Sequence, residues 1–169
     1  MALFSREIHN LRELFVEQLR DLYDGEMQIA DALPNLIEKA CNPELKDALR
    51  DHLEATRAQT ARLEEIFQKL GQKPTGASCK GMKGIIKEGD DLVSDAKDPA
   101  VIDTCIITSA QRVEHYEIAG YGTVRTFARQ LGDEGFAGLL EQTLNEEKEA
   151  DARLTRISNS TNVDAKEAA

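Results

Sequence analysis

Apolar residues recur every three to four positions along four long segments of the chain, which is the spacing of an amphipathic helix. In the first segment the apolar stripe runs through Leu11, Phe15 and Leu19, and it resumes at Ile29 and Leu33. The other three segments repeat the pattern, and each is roughly 30 residues long, on the order of 45 Å as a helix. The pattern therefore predicts an all-α protein with four main helices.

Capping residues and prolines mark where these helices begin and end. The starts are marked by Asn42-Pro43 and Asp98-Pro99, and two of the ends by Gly71 and Gly132. Proline is favoured at the first helical position, and glycine adopts the left-handed conformation that commonly ends a helix. We expect the last helix to end near Ser158. The bundle would then cover residues 1–158, and residues 159–169 would form a polar tail.

A long connection, rich in glycine and lysine at its start, separates the second main helix from the third. A short extra helix is expected within it, over residues 85–96. Short loops force neighbouring helices to be antiparallel, whereas a long connection lets the third helix run parallel to the second. The order of two helices, a long crossover and two helices predicts a ferritin-like four-helix bundle.

Charge and composition narrow the possible partners. The chain has 31 acidic and 21 basic residues, with a formal net charge of -10, which argues against binding to nucleic acid. It contains neither a signal-peptide pattern nor an apolar run of about 20 residues that would cross a bilayer. We therefore expect a soluble, cytoplasmic protein. The 3 cysteines form no Cys-x-x-Cys motif and are expected to be free thiols.

Five glutamates lie on the apolar stripes of three helices. They are Glu26 in the first helix, Glu114 and Glu117 in the third, and Glu146 and Glu149 in the fourth. Residues of an antiparallel pair lie at one level when they are equally far from the turn. Because a turn beside Gly132 places Glu117 level with Glu146, and Glu114 level with Glu149, the two Glu-x-x-Glu pairs are expected to meet.

The second helix contributes less clearly to this level. Its apolar stripe is interrupted at His52, Thr56 and Gln59, close to the level expected for Glu26. Glu54 points away from the stripe. We therefore favour His52 or Gln59 over Glu54 as the contribution of this helix, as weaker candidates than the glutamates.

The chemical interpretation rests on the cost of burying charge. Ionised carboxylates inside a bundle cost several kcal/mol each unless cations compensate them. A pair of metal ions would do so, and carboxylates with few imidazoles suit iron or manganese, which react with dioxygen or peroxide. Alternatively, Arg57, Arg112 or Arg125 would neutralise the glutamates in a buried ionic network. The protein would then be a metal-free, dimeric interaction protein.

Several segments also resemble known families. YDGEMQIADAL and VEHYEIAGY resemble iron-ligand helices of rubrerythrins. More closely, LRDLYDGEMQIADALPNLIEKA, ELKDALRDHLEATRAQTARLEEIF and SAQRVEHYEIAGYGTVRTFA resemble YciF-type bacterial stress proteins, a ferritin-like family. The likeness extends from about Ile8 to Ile157.

The resemblance implies a dinuclear metal centre, with Glu26, Glu114, Glu117 and Glu146 at ligand positions. Where rubrerythrins have Glu-x-x-His, however, this chain has Thr56 and Gln59 in the second helix and Glu146 followed by Glu149 in the fourth. The expected cofactor is two iron ions, with manganese as the alternative, and the enzyme class that this suggests is a di-iron oxidoreductase. The expected partners are metal ions, dioxygen or peroxide, and a second copy of the chain in a homodimer.

Overall fold

The computed structural model describes residues 7–168, which form five helices and no strand. The helices are α1 (Leu11–Lys39), α2 (Pro43–Leu70), α3 (Lys80–Asp95), α4 (Pro99–Gln130) and α5 (Glu134–Glu167). The predicted all-α, ferritin-like bundle is confirmed, with α3 as the extra helix of the crossover.

The predicted caps form at both helix starts. The side chain of Asn42 accepts hydrogen bonds from the backbone N–H groups of Glu44 and Leu45, and Asp98 caps α4 in the same way. Gly71 ends α2 in the left-handed conformation, with φ of 63°. These local signals satisfy backbone groups that a helix end leaves unpaired.

Two helix boundaries differ from the prediction. Helix α3 begins at Lys80, before the predicted position, because the thiol of Cys79 accepts a hydrogen bond from the Met82 N–H and caps the helix. Helix α5 continues to Glu167, so the prediction that it ends near Ser158 is wrong. Thr161 is buried against the bundle, and its carbonyl accepts a hydrogen bond from the Thr104 hydroxyl of α4 at 3.4 Å. Packing thus extends the helix into the expected tail.

The four long helices surround a common interior. Helix α1 packs on α2, and α4 on α5, while α1 also contacts α4 and α2 contacts α5. Helix α3 covers α1 and α4 from outside. Within the described range, no helix is both long enough and apolar enough to cross a membrane.

A buried carboxylate ties α4 to the turn between α1 and α2. Asp103 accepts hydrogen bonds from the backbone N–H groups of Cys41, at 2.7 Å, and Asn42, at 2.8 Å. Only 4% of Asp103 is exposed. Two amide groups of the turn are therefore paired with one side chain from a distant part of the chain.

The bundle interior contains two apolar clusters with a polar layer between them. One cluster includes Ile29, Leu49, Ile107 and Leu154, and the other includes Leu22, Leu63, Tyr121 and Leu144. On every long helix, the residues between these positions include buried polar side chains. The apolar clusters therefore enclose the layer where the candidate site lies.

Candidate metal centre

Helices α1 and α4 bring three of the predicted glutamates into the polar layer. Glu26, Glu114 and Glu117 are 0%, 1% and 2% exposed. Glu114 and Glu117 lie one turn apart on α4, so both carboxyl groups face the same interior. The predicted convergence of these three side chains is present in the structure.

Helix α5 supplies a glutamate that the sequence analysis missed. Glu147 is fully buried, whereas Glu149 is exposed and Glu146 is partly exposed. The inward direction predicted for Glu146 and Glu149 is therefore wrong. A signal for Glu147 exists in the sequence, because Leu140, Leu144, Glu147 and Leu154 follow the spacing of one helix face.

Glu146 lies at the edge of the layer and is held by an arginine. Arg62 donates two hydrogen bonds to its carboxylate, at 2.6 and 2.7 Å, and a third to the Thr143 hydroxyl. Burial raises the pKa of Glu146, but the hydrogen bonds and charge of Arg62, together with hydrogen bonds from Gln142 and Gln59, outweigh burial and hold the pKa below its ordinary value. Glu146 is thus already neutralised.

Helix α2 contributes His52 and Gln59, the two side chains favoured from the sequence, while Glu54 is exposed. Gln59 is 1% exposed and donates a hydrogen bond to Glu147 and one to Glu146 at 3.2 Å. The Nε2 atom of His52 lies 3.6 Å from Oε1 of Glu114. His52 therefore faces the layer, and Gln59 orients a carboxylate within it.

We call the following group the carboxylate cluster: Glu26, Glu114, Glu117, Glu147 and His52. One ligand atom from each of His52, Glu114, Glu117 and Glu147 can be chosen so that all four lie within 4.8 Å of one another. Glu26 adjoins this group and accepts a hydrogen bond from the hydroxyl of Tyr121. The cluster thus draws on all four long helices.

Burial alters the protonation of the cluster. Burial, followed by the charge of Glu147, raises the pKa of Glu26 to about 8. Burial also raises the pKa of Glu147 to about 7 and those of Glu114 and Glu117 well above their ordinary value. It lowers the pKa of His52 to about 4, so that this imidazole is neutral at pH 7. Without metal, the cluster therefore retains protons on its glutamates at neutral pH.

The cluster contains donor atoms without partners. One carboxylate oxygen of each of its four glutamates, together with Nε2 of His52, is buried and has no hydrogen bond. Buried polar atoms are rarely left unpaired, and each such atom calls for an explanation. Carboxylate oxygens and a neutral imidazole nitrogen are ligands that iron and manganese accept, so these residues fit a metal centre.

The three arginines proposed for a buried ionic network form no ion pair with the carboxylate cluster in the part of the chain that the structure describes. Arg57 is exposed, Arg112 pairs with Glu88, and Arg125 pairs with Glu141. Across residues 7–168, the one ion pair made by a member of the cluster joins His52 to Glu114, and it requires a charged His52. Arginine pairing thus accounts for Glu146, whereas the described part of the cluster forms no ion pair with an arginine. Burial raises the pKa values of Glu26 and Glu147 by more than the charge of nearby Arg62 lowers them.

A polar cleft leads from the surface to the cluster. It has a volume of about 330 Å³ and lies between α2, α4 and α5. Glu149 and Asp51 line its outer part, and His52, Gln59 and Glu114 line its inner part. The cleft therefore connects the surface of the bundle with members of the cluster.

The bundle, its crossover and the buried carboxylate layer define a ferritin-like helical protein. The chain belongs to the family described as Domain of unknown function (DUF892), which it matches over residues 10–167. It is 37% identical to Protein YciF of Escherichia coli (strain K12) over 149 residues, covering 88% of this chain and 90% of that protein. The resemblance to YciF-type proteins is thereby confirmed.

Solved structures agree with this assignment. The E. coli stress protein YciF has a TM-score of 0.88 at 35% identity, covering 91% of this chain and 98% of that one. YcfI from Rhodopseudomonas palustris, named as a candidate structural protein, has a TM-score of 0.87 at 45% identity, covering 90% and 98%. A ferritin-like, diiron-carboxylate protein from Bacillus anthracis str. Ames has a TM-score of 0.65 at 16% identity, covering 89% and 99%. This last likeness concerns the fold alone.

Proposed function

We propose that the protein binds two metal ions at the carboxylate cluster and acts in a stress response by reacting with dioxygen or peroxide. Iron is the proposed metal, with manganese as the alternative. The observation that carries the proposal is the convergence of four buried glutamates and a neutral histidine, each with an unpartnered ligand atom and none, within the described range, in an ion pair with an arginine. Description of the E. coli relative as a stress protein supports the proposed role.

The ligand set is close to the one typical of ferritin-like dimetal proteins. Those sites take one glutamate from each of two helices and a Glu-x-x-His pair from each of the other two. Here Glu26, Glu114, Glu117 and Glu147 supply four carboxylates, and His52 supplies one imidazole. When bound, two iron ions would supply the electrons that reduce dioxygen or peroxide.

Side chains next to the proposed ligands orient two of the carboxylates by hydrogen bonds. The hydroxyl of Tyr121 holds one oxygen of Glu26, and the amide of Gln59 holds one oxygen of Glu147, leaving the second oxygen of each carboxylate free of hydrogen bonds. Burial, followed by the charges of neighbouring glutamates, raises the pKa values of both Glu26 and Glu117, so the metal-free pair retains a proton at neutral pH. Metal entry must displace such protons.

Metal analysis after anaerobic loading with Fe(II) tests the proposal. We expect about two ions per chain, as in ferritin-like dimetal sites. A content below about one ion would favour the metal-free bundle instead. The cytoplasmic location and the homodimer expected from the sequence stay predictions.

Two variants separate Glu147, the ligand proposed on α5, from Glu149, the candidate of the sequence analysis. Glu147→Gln removes a carboxylate of the cluster while keeping its shape, and Glu149→Gln makes the same change at an exposed position of the same helix. We expect Glu147→Gln to lose most of the bound iron and Glu149→Gln to retain it. Equal retention by both variants would contradict the assignment of Glu147.

A further inference from the structure

A small cavity adjoins the carboxylate cluster on the α3 side, and it shares His52, Ala110 and Glu114 with the lining of the polar cleft. Its volume is about 40 Å³, and it lies where α3 covers α1 and α4. Its lining includes Ile29, Leu33, Ile86 and Val113, together with His52 and Glu114 of the cluster. One space therefore has an apolar wall and a wall made of proposed metal ligands.

The cavity has the size and the surface for a small apolar molecule. One water molecule needs about 10–15 Å³ of comparable volume and two to four polar partners, and apolar cavities in proteins stay dry and bind apolar guests such as xenon. The space of about 40 Å³ thus exceeds the need of one water but is far smaller than an organic substrate. A diatomic gas molecule is small enough for this volume and needs no polar partners.

Close packing of α3 limits the shape of this space. A Cβ atom at Gly89 would lie 2.9 Å from Cβ of Ser109, so α3 and α4 approach each other more closely there than a larger residue allows. Gly89 and Ser109 both line the cavity. The crossover helix therefore forms its outer wall.

We propose that this cavity binds dioxygen and places it against His52 and Glu114. The inference deepens the proposed function and rests on it, because it assigns dioxygen its own binding place beside the cluster, next to the polar cleft. Polar and hydrated molecules favour the cleft, whose lining carries charged side chains of both signs, among them Glu149 and Arg153. An apolar molecule gains dispersion contacts in the apolar cavity that water cannot match.

Xenon is the probe for the binding site, and it requires no metal. Crystals of the full metal-free chain, pressurised with xenon, should show anomalous density between Ile86 and Val113. Ala32→Leu should remove that density, because Ala32 lines the cavity and not the cleft. Ala55→Leu is the matched control and should keep it, because Ala55 lines the cleft and not the cavity. Absence of xenon from the wild-type cavity would overturn the proposal.

Reaction rates then test the assignment to dioxygen. The iron-loaded wild type, Ala32→Leu and Ala55→Leu are each mixed with dioxygen and, separately, with hydrogen peroxide. We expect the ratio of the dioxygen rate to the peroxide rate to fall severalfold in Ala32→Leu but not in Ala55→Leu. An unchanged ratio in Ala32→Leu, with xenon excluded, would overturn the assignment. Failure to bind iron would instead refute the proposed function, while the cavity would still be judged by the xenon density.

Discussion

Raising the pH from 5 to 8 should destabilise the metal-free protein, because folding buries several glutamates and thereby raises their pKa values. In the unfolded chain these carboxyl groups ionise near their ordinary pKa of 4.5. In the folded protein, Glu147 ionises at about 7 and Glu26 at about 8. A raised pKa in the folded state contributes stability that is fully present below pH 4.5 and is lost as the pH rises through the folded value.

The free energy of unfolding changes by about 1.4 kcal/mol per pH unit wherever the folded and unfolded states differ by one bound proton. Between pH 5 and 8, Glu147 accounts for a loss of about 2.5 kcal/mol and Glu26 for about 3.5 kcal/mol. His52 opposes them, because burial lowers its pKa to about 4 in the folded state from the ordinary 6.5 of the unfolded chain, and acid therefore destabilises the fold by about 2 kcal/mol at pH 5. The net loss on going to pH 8 is about 4 kcal/mol.

The remaining charged groups do not reverse this sign. Glu114 and Glu117 also have raised pKa values and add to the loss. Glu146 has a lowered pKa, so its contribution to stability disappears only below pH 4.5, outside the window. A loss of this size is a large fraction of the 5–15 kcal/mol that a typical domain has in total.

Urea unfolding in the presence of a chelator measures the effect. At a slope of about 2 kcal/mol per molar urea, the midpoint should fall by about 2 M between pH 5 and pH 8. Glu147→Gln should reduce the pH dependence by at least about 2.5 kcal/mol, because the charge of Glu147 also helps to raise the pKa of Glu26. The exposed control Glu149→Gln should leave the pH dependence unchanged. A metal-free midpoint that stays level or rises over this range would refute the burial of ionisable glutamates that underlies the metal centre.

Three further predictions follow from the same structure. Glu117→Gln should keep or raise the metal-free stability at pH 8 and abolish the stability gained from iron, as thermal melts with chelator or metal would show; a marked loss in chelator would contradict this. Iron binding should release protons and weaken as the pH falls from 7 towards 5, which calorimetry in buffers of different ionisation enthalpy would detect; equal heats in all buffers would argue against it. Asp103→Ala should cost about 3 kcal/mol in urea unfolding, because two amide groups of the α1–α2 turn lose their partner, whereas the exposed control Asp91→Ala should cost little.

Most of the fold could be predicted because its signals are local. Asn42 and Asp98 cap the helices that they precede, and Gly71 ends α2 through its own conformation. The end of α5 was missed because it depends on a distant contact. Residues 159–167 are polar in sequence, and the helix there gains from the burial of Thr161 and the hydrogen bond between its carbonyl and Thr104 of α4.

Within the site, the inward direction of a side chain was predicted correctly where apolar residues precede and follow it on the same helix face. Glu26 lies between Leu22 and Ile29, so the core on both sides of it directs its carboxyl group inward. Arg62 could not be recognised as the partner of Glu146, because a long side chain on the polar flank of α2 has many possible partners until the helices are packed. The arginines chosen from their level, such as Arg57, face away from the layer.

The choice among Glu146, Glu147 and Glu149 depended on the register of one turn. The prediction centred the turn between residues 131 and 132, which places Glu117 level with Glu146. In the structure α4 ends at Gln130 and α5 begins at Glu134, so the centre is Gly132, and Glu117 and Glu147 lie equally far from it. Each residue of a helix is rotated by about 100° from the next, and Glu147, unlike Glu146, shares the buried face of Leu140 and Leu144, so level and direction together select Glu147. Gly132 has φ of 79°, a conformation that determines how the chain leaves α4, and the position of the fourth carboxylate follows from it.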